Sequence, residues 1–182
     1  MHRRTDLHRF LSEQFEAETE REYPIPDDRC LHPIPDDGCL YSPGVTVLRG
    51  SEANGYPFLA APFQIHVISC AAVNTPQLCA GEYAVAGERA RMKAKVEAII
   101  KTAVMANCQV VVLGAFGCGA YKNPPKVVAE LFRDALASAE AVALLEVVFC
   151  ILDDHNANQA HNPHGNLAPF KEVFGVGLEA SA

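Results

Sequence analysis

The chain is 182 residues long and carries 22 acidic against 15 basic residues, a formal net charge of −7. The length suffices for one α/β domain with a substantial core, and a composition 49% apolar and 20% charged is that of an ordinary globular chain. The acidic balance excludes general binding to nucleic-acid backbones, and the lack of Trp with only five Tyr excludes an extended base-stacking platform; a single nucleotide-like ligand held by backbone donors stays compatible with both.

The chain opens Met1-His2-Arg3-Arg4-Thr5-Asp6, without a hydrophobic signal region, and no apolar run is long enough to span a membrane. Thr5 to Glu22 begins with Leu7, Phe10 and Leu11 on one helical face, with Thr5 placed to cap it; the Glu-rich second half is too acidic for a core, so a surface helix, or a helix that frays, is expected. The unit Pro-Ile-Pro-Asp-Asp-x-Cys-Leu then occurs twice, at Pro24 to Leu31 and Pro33 to Leu40, a short local duplication whose prolines forbid helix and central strand. From Val45 the pattern becomes regular. Strands are expected at Val45–Leu48, Ile65–Ala72, Val110–Leu113 (a buried one) and Leu144–Leu152. Helices are expected at Glu88–Met105, with Met92, Val96, Ile99, Ile100 and Ala103 on one face, and at Lys126–Ala139, with Val128, Leu131, Phe132 and Ala135 inward. A polar loop, Asp153–Gly165, holds three histidines, and a short last helix spans Asn166–Phe174. The alternation predicts a largely parallel sheet covered on both faces, with ligands outside the carboxyl ends of its strands. The loops at Asn74, Gly114 and Asp153 all follow strands and are expected to meet.

The most informative stretch is Cys108 to Pro125, in which a β-branched run breaks into Gly114, Gly117 and Gly119 ahead of a helix start. Such a junction aims backbone N–H groups at one spot and suits a phosphate or diphosphate. The spacing is neither that of a P-loop nor that of a dinucleotide fold. Phe116 either packs on a ribose or plugs the end of the sheet. In Asp153-Asp154-His155-Asn156 a carboxylate is placed to accept from a hydroxyl or position a water; the other reading is a hydrogen-bonded loop with a helix cap. Seven cysteines, an odd number, are present (Cys30, Cys39, Cys70, Cys79, Cys108, Cys118 and Cys150), of which Cys70, Cys108 and Cys150 lie in apolar runs as small hydrophobes. The expectation is a cytoplasmic or nuclear protein with reduced thiols. Cys118 sits where a helix N-terminus can lower a thiol pKa, but without a His partner it reads as a small loop residue. His161 with His164, and Cys30 with His32 and Cys39, have ligand-like spacing, yet neither group supplies the about four ligands of a zinc site; no metal and no cofactor are expected.

The segment Leu113 to Pro125 resembles the diphosphate loop of microbial-type poly(ADP-ribose) glycohydrolases, which are macrodomains. The resemblance extends through Asp36 to Val45, Val67 to Asn74, Ile151 to Asn156 and Asn166-Leu167, and covers most of Tyr23 to Phe174. It implies a three-layer α/β/α fold with a mixed sheet, and divides the chain into an N-terminal helical segment (1–22), a macrodomain-like domain (23–174) and a C-terminal tail (175–182). It implies ADP-ribose, or an ADP-ribosylated protein, as partner, with Asn74, Gly114, Ala115, Phe116, Gly117, Cys118, Gly119, Ala120, Tyr121, Asn123 and Asn156 as ligand-binding residues. The family's catalytic segment is an Asn-bearing strand, a Gly-Gly-Gly loop and a Gln-Glu-Glu triplet. This chain has neither motif: the nearest stretch, Gln14-Phe15-Glu16-Ala17-Glu18, has the wrong spacing and no glycine loop before it. The fold is thus expected to be shortened on its N-terminal side, and the unpaired sheet edge favours a homodimer. Three functions stay open: a hydrolase using Asp153, Asp154 or His155, a non-catalytic ADP-ribose reader, and a structural protein with an incomplete pocket.

Overall fold

The computed structural model describes residues 3–10, 35–138, 144, 146–156, 159 and 162–175. They fall into two compact units, one containing residues 40–69 with the N-terminal residues, the other residues 35–39 with the chain from Cys70 onward.

The first unit is built on two strands, β1 (Leu40–Arg49) and β2 (Phe58–Ser69). They pair antiparallel from Leu40↔Ser69 to Arg49↔Phe58, with register shifts between Ser42 and Val45 and between Val47 and Arg49. The first shift falls on Pro43-Gly44, where Pro43 has no N–H to give the ladder and Gly44 takes a φ of 66°. Leu7, Val45 and Val67 form a small core with Phe10 and Ile65 against it. The N-terminal residues run along β1: the Leu48 N–H donates to Arg4 O at 2.8 Å, Thr5 bridges Val47, and the Thr46 N–H donates to Asp6 Oδ1 at 2.7 Å.

Three expectations change here. The strands are longer than the periodicity suggests, and the second ends at Ser69 rather than Ala72. The expected largely parallel arrangement does not extend to β1 and β2, because the connection 50–57 holds only a 3-10 turn at Glu52–Asn54, too short for a crossover. Of the expected Thr5–Glu22 helix, residues 7–10 form a helical turn, with the Leu7 N–H 3.4 Å from Thr5 Oγ1; residues 11–22 lie outside the described residues.

The second unit holds a minimal hairpin, β3 (Leu78–Cys79) with β4 (Glu82–Tyr83), then α1 (Ala86–Met105), β5 (Val110–Leu113), α2 (Pro125–Leu136), β6 (Glu146–Phe149) and α3 (Leu167–Phe174). β5 and β6 pair in parallel, Val110↔Glu146 to Leu113↔Phe149, with α2 as the crossover. The inward faces match the helical periodicity: Met92, Val96, Ile99, Ile100 and Ala103 of α1 and Val128, Leu131, Phe132 and Ala135 of α2 are all buried. Pro125 occupies the first turn of α2, where its fixed φ is preset for helix and its missing N–H costs nothing. Ring contacts run from Phe116 to Phe132 (centroids 6.5 Å apart), from Phe132 to Phe149 (5.6 Å) and from Phe149 to Phe170 and Phe174 (5.3 and 4.8 Å), tying α2, β6 and α3 together.

β5 is not buried on both faces as expected. Val111 and Leu113 point inward while Val110 and Val112 are 52% and 64% exposed, the alternation of a strand covered on one side. Cys150 is likewise exposed rather than a core residue. No helix among the described residues is long and apolar enough to cross a membrane.

Candidate functional site

The glycine loop folds as two consecutive turns between β5 and α2. The Cys118 N–H donates to Ala115 O at 3.0 Å and the Lys122 N–H donates to Gly119 O at 2.9 Å. Gly117 sits between them with a φ of 71°, and a Cβ there would collide with the Ala72 methyl and come within 2.6 Å of Asn123 Nδ2. Glycine is therefore required at 117 for both conformation and space. Gly119 is different: its nearest neighbour would be Asn156 Nδ2 at 3.6 Å, and its φ is not in the left-handed region.

Asn123 holds this loop from below. Its side chain is fully buried; Nδ2 donates to Val73 O at 2.7 Å and Gly117 O at 3.0 Å, and Oδ1 accepts from the Tyr83 hydroxyl at 2.8 Å. Burial pushes the Tyr83 phenol well above its usual range, so it stays a donor. A second tie joins the same segments, the Thr75 N–H donating to Tyr121 O at 2.9 Å. Both residues flanking that bond are strained: Thr75 and Lys122 have φ of 49° and 57°. Left-handed backbone at a β-branched residue costs on the order of 1–3 kcal/mol and persists only where its surroundings over-determine it. The Asn74, Gly114 and Asp153 loops thus meet, the first two through hydrogen bonds and the third through Asn156 beside Gly119.

Among the described residues, the backbone N–H groups of Ala115, Phe116, Gly117, Gly119, Ala120 and Tyr121 have no protein acceptor. Six unsatisfied donors in seven consecutive residues make a concentrated source of hydrogen bonds for an anion. Around them, Asn74 is exposed with Oδ1 accepting from its neighbour Thr75 (2.9 Å), Tyr121 is 41% exposed, and half-buried Phe116 rests one edge on Phe132. Gly114 and Ala120 are exposed.

Two of the expected ligand-binding residues, Asn123 and Cys118, have side chains buried in the protein. The Asn123 amide has protein partners at both ends and holds the loop in place. The Cys118 side chain is fully buried, with Sγ 3.6 Å from Phe116 O; its burial pushes the thiol far upward, the opposite of activation by a helix N-terminus.

The acidic loop also separates into distinct roles. Asp153 Oδ1 accepts from the Asn166 and Leu167 N–H groups at 2.6 and 3.1 Å, so this carboxylate caps α3. Asn166 is fixed in turn by Asn162, whose Nδ2 donates to Asn166 Oδ1 at 2.7 Å. Asp154 accepts from the Asn156 backbone (2.9 Å) and from Asn156 Nδ2 (3.0 Å); the backbone bond is the main reason its carboxyl lies below the usual range, followed by the side-chain bond. That favours an acceptor over a proton donor near neutral pH. The His155 side chain is 89% exposed, its Nδ1 3.8 Å from Asp154 Oδ2. No group of three metal-ligating side chains occurs among the described residues; Cys30, His32 and His161 lie outside them.

Sequence reasoning missed Tyr83, Thr75 and the Ala72-Val73 backbone. Tyr83 lies forty residues from its partner, and neither it nor a left-handed Thr75 has a local sequence signature.

No family model matches the chain, and no curated protein sequence does. Solved structures do. Poly(ADP-ribose) glycohydrolase from Deinococcus radiodurans in complex with ADP-ribose superposes with a TM-score of 0.60 at 27% identity, over 76% of this chain and 53% of that one. The apo form from the same organism gives 0.59 at 28% identity, over 76% and 54%. The enzyme from Thermomonospora curvata gives 0.60 at 26% identity, over 76% and 47%. The fold is therefore α/β and macrodomain-like. Within that class the chain is poly(ADP-ribose) glycohydrolase-like, as the sequence resemblance implies, and it spans about half the length of these neighbours.

Proposed function

We propose that this chain binds ADP-ribose, free or attached to a protein, with the backbone of Gly114 to Tyr121 cradling the diphosphate. The observation that carries this reading is the row of unsatisfied N–H groups in a loop held by Asn123 and by the strained Thr75–Tyr121 tie. Preorganised donors bind an anion without the cost of ordering the loop. The negative net charge is no obstacle, because the donors are backbone groups. Asn74, Phe116, Tyr121 and Asn156 border the cradle as candidates for the ribose hydroxyls and faces. The ADP-ribose bound in the Deinococcus neighbour supports the same ligand.

Titration calorimetry with ADP-ribose tests the reading. Gly119→Glu is the informative variant, since a Cβ at 119 meets nothing closer than Asn156 Nδ2 at 3.6 Å and the substitution brings a carboxylate to the cradle. Saturable binding by the parent chain and at least tenfold weaker binding by a folded Gly119→Glu are expected. Equal affinity in the two would remove the loop from the ligand site.

Hydrolysis of the ADP-ribosyl linkage is the second reading, favoured by the activity in the neighbours' names. Asp153 and Asp154 are engaged as a helix cap and a turn acceptor, so recognition without turnover is the preferred form of the proposal. Chromatographic assay of ADP-ribose released from an ADP-ribosylated protein decides between them. Release abolished by Asp154→Ala would restore the hydrolase; no release from a bound substrate supports the reader.

A further inference from the structure

The ladder between β1 and β2 ends with Ser42↔Val67, Tyr41↔Ile68 and Leu40↔Ser69. One step further along each strand stand Cys39 and Cys70, both free thiols and both half-buried. Continuing the register sets them opposite each other, and directly opposed residues share a face. The hydrogen bonds agree. Cys39 Sγ lies 2.9 Å from Thr102 Oγ1 and 3.8 Å from Ala98 O, while Cys70 Sγ lies 3.8 Å from Gly38 O, the carbonyl preceding Cys39. Lys95, Ala98 and Thr102 form one stripe of α1, and Cys70 lies near enough to both Lys95 and Cys39 to respond to their charges. Opposed residues of an antiparallel pair have Cα atoms about 4.5–5.5 Å apart, inside the roughly 4.4–6.8 Å that a disulfide accepts.

We propose that Cys39 and Cys70 are a redox-sensitive pair that closes to a disulfide under a hydroperoxide and reopens under a thiol reductant. Cys39, beside the Thr102 hydroxyl, is the attacking group: its thiol gives up a proton, the thiolate takes one oxygen of hydrogen peroxide as the O–O bond breaks, and the departing hydroxide takes up that proton, leaving a sulfenic acid and one water. The Cys70 sulfur then displaces the sulfenic oxygen, which leaves as a second water with the Cys70 proton. Two thiols are oxidised by two electrons, one peroxide is reduced, and one S–S bond forms. Burial, the main cause of the raised Cys70 pKa, suits Cys70 to the resolving rather than the attacking role. The closed pair fixes Cys70 two residues ahead of Ala72, in the segment that leads to Asn74.

The test is peptide mapping of the folded chain after hydrogen peroxide, with free thiols alkylated and no reductant during digestion. A linked Cys39–Cys70 peptide is expected, with two fewer alkylated thiols, both recovered by dithiothreitol. The link should vanish in Cys39→Ser and in Cys70→Ser and persist in Cys79→Ser. Exposed Cys79 and Cys150 report whether oxidation took place. If those two are modified while Cys39 and Cys70 stay alkylatable, the pairing is wrong. It is equally overturned if either residue links to Cys30 or another cysteine at comparable yield, or if the link forms as readily in the guanidinium-unfolded chain.

Discussion

Asn123 shows how one buried amide can set the shape of a binding loop. Its hydrogen bonds reach the Asn74 segment, the turn at Gly117 and the hairpin Tyr83. Asn123→Ala leaves the Val73 carbonyl and the Tyr83 phenol without partners in the interior, while Gly117 O keeps the backbone N–H of residue 123, and is expected to cost about 2–4 kcal/mol, read from the midpoint of urea unfolding. Tyr83→Phe removes only one of these bonds and should cost about 1–2 kcal/mol. A stability change in Asn123→Ala no larger than that of Tyr83→Phe would mean the amide is not the hub. The resemblance to the glycohydrolase loop implies Asn123 as a ligand-binding residue. It cannot say that the amide faces inward, because the partners come from segments forty and fifty residues away.

At the scale of the elements, the β5–α2–β6 unit was legible. The run Val110–Leu113 and the helical spacing of Val128, Leu131, Phe132 and Ala135 are local signals, and each appears in place. The β1–β2 pairing was less so, since its register depends on a Pro43-Gly44 shift and on N-terminal residues running along its edge. The loops carry two contrasts that a stability measurement can check. Gly117→Ala forces a left-handed φ and a collision with Ala72 and should cost about 2 kcal/mol or more, whereas Gly119→Ala should change stability by about 0.5 kcal/mol or less. At the start of α3, Asp153→Ala removes the acceptor for the Asn166 and Leu167 N–H groups and should cost about 1–2 kcal/mol. An Asp153→Ala chain of unchanged stability would free this carboxylate for catalysis after all.

For the molecule as a whole, acid stability follows from the second copy of the Pro-Ile-Pro-Asp-Asp repeat. Asp36 pairs with Arg91 at 2.9 Å and with buried Lys95 at 3.0 Å, and the hydrogen bond from Arg91, then that from Lys95, holds its carboxyl below the ordinary value of 3.8. A depressed folded pKa gives stability that is complete above about 3.8 and is lost as pH falls through the lower folded value. Asp36→Asn should therefore lower stability at neutral pH by about 1 kcal/mol, since over a third of the Asp36 side chain is exposed and water screens the pair. The gap between variant and parent should close below pH 3.8; a gap independent of pH would exclude the ion pair as its source. Whether the cradle holds the diphosphate is decided by a crystal structure of the chain with ADP-ribose. Diphosphate oxygens within hydrogen-bond distance of the N–H groups of Gly119, Ala120 and Tyr121 are predicted, with the Asn123 bonds unchanged. A bound ADP-ribose whose diphosphate contacts none of the backbone from Gly114 to Tyr121 would contradict that role.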